Sequence, residues 1–201
     1  MILPNKFIIL DTEYTAWSDS QKTNWSNPNH HKEIIQIGAL KVFRINNNFI
    51  LKNAINIYVQ PSVNKTLSKY ITNLTGITNY KIKKYGVSFE IAIQQLRDFC
   101  YDKNTHLPVF SYGNDYDVIK ENLILNKMNS KKDSKYYNDK KYYNDIVPIL
   151  KSHNVDTNKY SSGDLYKYFD IKGNFKNHNA VSDVYSIYLS LKHMLLNAYN
   201  I

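Results

Sequence analysis

Four consecutive apolar residues, Phe7-Ile8-Ile9-Leu10, run directly into Asp11-Thr12-Glu13. A short β-prone run without a polar interruption reads as a buried strand, and this one ends in carboxylates. Residues i and i+2 of a strand project to one face, about 6.5–7 Å apart. Asp11 and Glu13 can therefore point together off the strand's end. Adjacent carboxylates repel unless a cation neutralises them, and Mg²⁺ or Mn²⁺ prefers such oxygen ligands. Taken alone, Asp-x-Glu serves as readily to cap a helix or to pair with a surface lysine.

The pattern downstream of this strand predicts one mixed α/β domain over residues 1–201. Residues 14–32 are polar, with Trp17, Trp25, Pro28 and His30-His31, and read as a loop. Period-two alternation of Ile35, Ile37, Ala39 and of Ile55, Ile57, Val59 predicts an antiparallel hairpin over 33–45 and 49–60. It turns at Asn46-Asn47-Asn48 and stops at Pro61. Leu67, Tyr70, Ile71 and Leu74 form a helical stripe ending at Gly76. Ser88 caps a second helix with Ile91, Ile93, Leu96, Phe99 and Cys100 as its buried side. Residues 107–111 form a fourth strand, followed by a helix from about 115 to 127. Segment 129–144, with Lys131-Lys132-Asp133 and two Tyr-Tyr pairs, shows neither period and reads as an exposed insertion. It is either a solvated loop or an element that stacks bases and touches phosphates. Ser161 or Ser162 caps a helix over 164–169, and a final helix runs from about 180 to 198.

Charge and cysteine content narrow the setting. Lys and Arg number 26 against 17 Asp and Glu, a net +9 that suits a polyanionic partner. A compositional bias toward Lys, Asn, Tyr and Ile accounts for the same excess, so charge supports nucleic acid without establishing it. Cys100 is the only cysteine, which excludes an intrachain disulfide, and its apolar helical setting marks it as core. Pro4 cuts the first apolar residues short, and no run approaches the ~20 residues of a membrane span. The chain reads as soluble and cytoplasmic.

A second polar cluster, His178-Asn179-Ala180-Val181-Ser182-Asp183, opens the last helix. Within one continuous helix His178 and Asp183 would point about 140° apart. They converge only if His178 precedes the helix and Asp183 lies in its first turns. Gly173 and the polar run 174–177 supply an irregular lead-in. His106, His153 and His193 read as structural or solvated. A further carboxylate stands in Ser111-Tyr112-Gly113-Asn114-Asp115-Tyr116-Asp117, where Asp115 and Asp117 compete. Asp115 shares a helical face with Ile119, Asn122 and Leu123, whereas Asp117 shares one with Lys120 and Glu121. Helical phase therefore favours Asp115, with Asp117 as the alternative.

In these residues the chain resembles the DEDDh group of 3′–5′ exonucleases. The first motif is Asp11-Thr12-Glu13 and the last is His178-x-x-x-x-Asp183. The similarity is closer still to a bacterial subgroup of uncharacterised exonuclease-like proteins. It is carried there by 11–17, by Glu33-Ile34-Ile35-Gln36-Ile37-Gly38-Ala39, by Leu74-Thr75-Gly76-Ile77-Thr78 and by 111–115. The likeness spans roughly residues 6–195. One departure is that many members carry the middle Asp after an Asn and an aromatic residue, and here the spacing from Gly113 differs by one.

The resemblance implies a ribonuclease-H-like mixed sheet, its first three strands antiparallel with an additional parallel strand, flanked by helices. It implies metal-dependent 3′–5′ exonuclease activity on single-stranded DNA or RNA 3′ ends, with nucleoside 5′-monophosphates as product. Asp11, Glu13, Asp115 and Asp183 would bind two Mg²⁺ or Mn²⁺ ions, one activating water and the other stabilising the leaving 3′ oxygen. His178 would be the general base. Thr12 and Tyr14 would position the terminal nucleotide, or simply complete the strand end. Two rivals remain: a nucleic-acid-binding module of the same fold without turnover, and a metal phosphohydrolase acting on small phosphates.

Overall fold

Strand β1 (Lys6–Tyr14) is the axis of the molecule, and Phe7, Ile8, Ile9 and Leu10 are all fully buried in it. The computed structural model describes residues 3–128, 130–173 and 175–198. Asn129, at the start of the expected insertion, and Asn174, in the expected lead-in to the last helix, lie outside the described residues. After β1 come α1 (Ser20–Thr23), β2 (Ile34–Ile45), β3 (Asn48–Tyr58), α2 (Lys69–Thr75), α3 (Asn79–Tyr85) and α4 (Phe89–Phe99). A short ladder of β4 (Tyr101–Asp102) and β5 (Thr105–His106) leads to β6 (Val109–Ser111) and α5 (Asp115–Leu125). The chain closes with α6 (Ser134–Asn138), β7 (Tyr143–Asp145), α7 (Val147–Ser152), α8 (Leu165–Tyr168) and α9 (Ala180–Ala198).

The main sheet has the order β3-β2-β1-β6-β7. Strands β1, β2 and β3 are antiparallel neighbours, while β6 runs parallel to β1 and β7 parallel to β6. This is the ribonuclease-H-like mixed sheet. Helices cover both of its faces, which is why residues 7–10 of β1 are apolar in succession rather than at alternate positions. Ile8 and Leu10 pack with Ile93 and Leu96 of α4 and Ile119 and Leu123 of α5. Phe7 and Ile9 pack on the other face with Val184, Ile187 and Leu191 of α9. Among the described residues no helix is long and apolar enough to cross a membrane.

Local sequence accounts for most element ends. The β2–β3 turn places Asn46 and Asn47 at φ 48° and 57°, the two left-handed positions of a two-residue hairpin. Ser68 accepts a hydrogen bond from the Ile71 N–H to start α2, and Gly76 ends it at φ 71°. Ser88 starts α4 in the same way, by accepting from the Ile91 N–H.

Five expectations need correction. Helix α1 interrupts the loop expected over 14–32, and α8 follows Asp164 with no side-chain cap from Ser161 or Ser162. Ile91 is 49% exposed, because it lies about 140° around α4 from Leu96; Phe89 and Ala92 take the buried side instead. Helix α3 separates the two helices expected there. Most consequentially, the described part of 129–144 is tied into the core by several side chains, although its lysines are exposed as expected. Tyr136 is buried in the core and donates its hydroxyl to Gln94 Oε1 at 2.9 Å. Asp139 accepts from Arg97 Nε at 2.8 Å, and Tyr143–Asp145 forms the fifth strand. Tyrosines supply the burial that aliphatic residues supply elsewhere, so a polar-looking segment is structural.

Candidate active site

Strand alternation decides which side chains of β1 meet which helix. Phe7 and Ile9 face α9, so by the same phase Asp11 and Glu13 face it as well. Helix α9 comes close enough to answer them because of two residues on β2. Gly38 is the cross-strand partner of Asp11, and a Cβ there would fall 2.5 Å from the Ala180 carbonyl carbon and 2.7 Å from the Val181 nitrogen. Only a glycine lets the helix start settle directly on the sheet. Gln36, fully buried, accepts the Ala180 N–H on Oε1 at 3.1 Å and donates Nε2 to Asn56 Oδ1 at 2.9 Å. It satisfies one of the donors that a helix N-terminus leaves open.

Helix α9 begins between His178 and Asp183, as their convergence requires. His178 sits at φ 58°, Asn179 accepts the Ser182 N–H on its side chain, and Asp183 falls in the first turn. Asp11, Glu13 and Asp183 are each at most 8% exposed, and each offers a carboxylate oxygen within 4.8 Å of the others. Asp183 Oδ2 accepts from Ser162 Oγ at 3.3 Å, whereas its buried Oδ1 has no partner among the described residues. Gly163 makes room for that oxygen, since a Cβ there would lie 2.7 Å from it. Among the described residues no lysine or arginine pairs with any of the three.

Burial without a cationic partner among the described residues raises these acids. Glu13 is pushed up to about 8 by desolvation and then by the charges of Asp183 and Asp115. Asp183 rises to about 7, chiefly by desolvation, and Asp11 goes well above its ordinary range for the same reason, with Asp115, Asp183 and Glu13 adding to it. The donor set fits a divalent cation: all ligands are oxygen, the charges are concentrated, and one buried oxygen lacks a partner.

Asp115 reaches the strand end from the other face of the sheet. Strands β1 and β6 are parallel with Leu10 beside Ser111, so the α5 N-terminus follows directly beside Asp11. Thr12 points to that face and donates its hydroxyl to Asp115 Oδ1 at 2.6 Å. Desolvation raises Asp115 to about 6, against the lowering effect of Thr12. Asp117 is exposed and accepts from the Asn114 side chain. Of the pair, Asp115 is therefore the one adjoining the cluster, although it stands outside the set of three.

A cleft of about 190 Å³ opens over the carboxylates, walled by Tyr14, Trp25, Tyr70 and Leu74 on one side and by Ser162 and His178 on the other. Tyr14 is pushed up to about 12, first by burial and then by Asp115, Glu13 and Asp11. Its ring lies 5.7 Å from that of Trp25. Ser162, Gln36, Gly38, Gly163, Trp25 and Tyr70 shape the site without having been expected there. Only a glutamine and a glycine inside the apolar alternation of β2 gave a local signal.

This sheet order, with carboxylates gathered where two parallel strands end, defines a ribonuclease-H-like nuclease fold. The sequence profile of the RNase T exonuclease family matches residues 8–190, and the chain belongs to that exonuclease family. No curated protein sequence matches it. Among solved structures, the nuclease domain of 3′hExo, a DEDDh family member bound to rAMP, superposes with a TM-score of 0.78 at 16% identity. The match covers 96% of this chain and 92% of that one. Cell-death related nuclease 4 gives 0.69 at 16% identity over 96% and 64%. E. coli exonuclease I in complex with ssDNA gives 0.67 at 14% identity, over 98% of this chain but only 42% of its own length.

Proposed function

We propose that this protein is a metal-dependent 3′–5′ exonuclease releasing nucleoside 5′-monophosphates from single-stranded DNA or RNA ends. The observation that carries the reading is the convergence of three buried carboxylates whose charges no basic side chain among the described residues neutralises. Asp11, Glu13 and Asp183 would hold two Mg²⁺ or Mn²⁺ ions, with Asp115 beside them. Bound there, the ions supply water activation and stabilisation of the leaving 3′ oxygen.

The chain's own residues supply the rest. His178, exposed at the cleft edge, takes the proton of the attacking water, a task suited to an imidazole near neutral pH. Its left-handed backbone just ahead of α9 fixes the direction from which it approaches. Thr12 orients Asp115 through its hydroxyl, and Tyr14 offers a ring to the terminal nucleotide. The raised carboxyl pKa values mean that the cluster holds protons more tightly than free carboxylates do.

The test is hydrolysis of a single-stranded oligonucleotide, a dinucleotide and a model phosphodiester with Mn²⁺, by wild type and Asp11→Ala. Metal-dependent shortening of the oligonucleotide, abolished in the variant, is expected. Turnover of the model phosphodiester without oligonucleotide cleavage would instead make it a small-substrate phosphohydrolase. Metal-independent binding without product would make it a binding module.

A further inference from the structure

The net charge of +9 is not spread along the chain. Residues 34–89 hold eight of the 26 basic side chains and none of the 17 acidic ones, so the remainder is nearly neutral. Three of those eight fall on helix α3, Asn79-Tyr80-Lys81-Ile82-Lys83-Lys84-Tyr85, where only Ile82 is buried. Tyr80 and Tyr85 are 67% and 56% exposed, unusual for rings of that size. Lys84 Nζ lies 5.6 Å from the Tyr80 ring and 4.9 Å from that of Tyr85, and Lys81 Nζ lies 5.3 Å from Tyr58. Among the described residues none of Lys81, Lys83 and Lys84 pairs with a carboxylate.

Helix α3 adjoins the elements that wall the cleft. Ile82 of α3 shares one core with Ile71 of α2, and Trp25, Tyr70 and Leu74, which wall the cleft, pack against the same core. Lys176, two residues before His178, brings its Nζ beside Gly76, where a Cβ would fall 2.0 Å from it. Cationic groups therefore extend from the rim bearing His178, past the end of α2, toward α3.

We propose that α3 and the end of α2 form a second binding surface for the strand whose 3′ end enters the carboxylate cleft. Lys81, Lys83, Lys84 and Lys176 contact phosphates, and Tyr80 and Tyr85 stack bases. The proposal rests on the exonuclease reading above. An anionic membrane fits less well, because the only aliphatic side chain of α3 is buried and leaves nothing to insert into a bilayer.

The test reads binding without turnover. Fluorescence anisotropy of a labelled long oligothymidylate is followed in EDTA over a salt series, for wild type, K81Q/K83Q/K84Q and Y80A/Y85A. Each lost phosphate contact on a single strand lowers the salt slope by about 0.7, so the lysine variant loses about 2 in slope and at least about tenfold in affinity. The tyrosine variant binds more weakly with the slope unchanged, and both melt at the wild-type temperature. Dinucleotide hydrolysis in Mn²⁺ is unchanged in both, because so short a substrate does not reach α3. Wild-type affinity and slope in both variants would overturn the proposal, as would lysine-dependent binding to anionic phosphatidylserine vesicles with oligonucleotide binding intact. Absence of any hydrolysis by wild type would sink the exonuclease reading alone, since the binding arm does not depend on it.

Discussion

Removing divalent cations makes the stability of this protein fall as pH rises, and the carboxylate cluster sets the size of the effect. Glu13 has an ordinary value of 4.5 and rises to about 8 in the fold, chiefly through desolvation. A group whose folded pKa lies above its unfolded one binds more protons when folded, so stability is greatest in acid. It is lost progressively as pH climbs from the unfolded value through the folded one. Between pH 5.5 and 8, Glu13 alone removes about 3 kcal/mol, at about 1.4 kcal/mol per pH unit. Asp183, raised to about 7, acts in the same direction. For a chain of this length 3 kcal/mol lowers the melting temperature by about 6–12 °C. A cation at the cluster replaces the proton, and at a hundred times its dissociation constant restores about 2.7 kcal/mol. Thermal melts in EDTA and in Mn²⁺ at both pH values read this directly. A melting temperature in EDTA that does not fall with pH would refute the argument from buried, uncompensated acids. Failure of Mn²⁺ to raise it at pH 8 would refute the metal site.

Other consequences follow from single contacts. Gly38→Ala places a Cβ 2.5 Å from the Ala180 backbone, so α9 must move; overpacking of this kind costs about 1–3 kcal/mol, and chemical denaturation should register it together with an activity loss exceeding the stability loss. Gln36→Leu leaves the buried Ala180 N–H without its acceptor, a cost of about 1–3 kcal/mol in an unfolding titration. His178→Ala should lower kcat by about 10²–10⁴ while the Mn²⁺-induced rise in melting temperature persists. Asp115→Asn should impair turnover severely and Asp117→Asn hardly at all, since Asp117 is exposed and bonded to Asn114; equal effects in steady-state assays would remove the distinction.

Much of the site is legible in the sequence because its logic is local. An apolar run ending in Asp-x-Glu needs only strand alternation to place both acids on one face. The offset of His178 from Asp183 needs only a helix start between them, and helical phase separates Asp115 from Asp117. What escaped depended on distant partners. Gln36 and Gly38 matter because α9, more than 140 residues later, begins on top of them. Helix α3 buries one residue and is too short for a period to emerge. The 130–144 segment hid its burial in tyrosines and its ordering in side-chain bonds such as Arg97–Asp139, for which periodicity gives no sign.

The most direct measurement is product analysis on a single-stranded oligonucleotide labelled at its 5′ end, with Mn²⁺ present or chelated. The expected result is a ladder shortening from the 3′ end, with nucleoside 5′-monophosphates released, that is lost in EDTA and in Asp11→Ala and His178→Ala. Release of the 5′ label as the first product, nucleoside 3′-monophosphates, or undiminished cleavage by Asp11→Ala would contradict it.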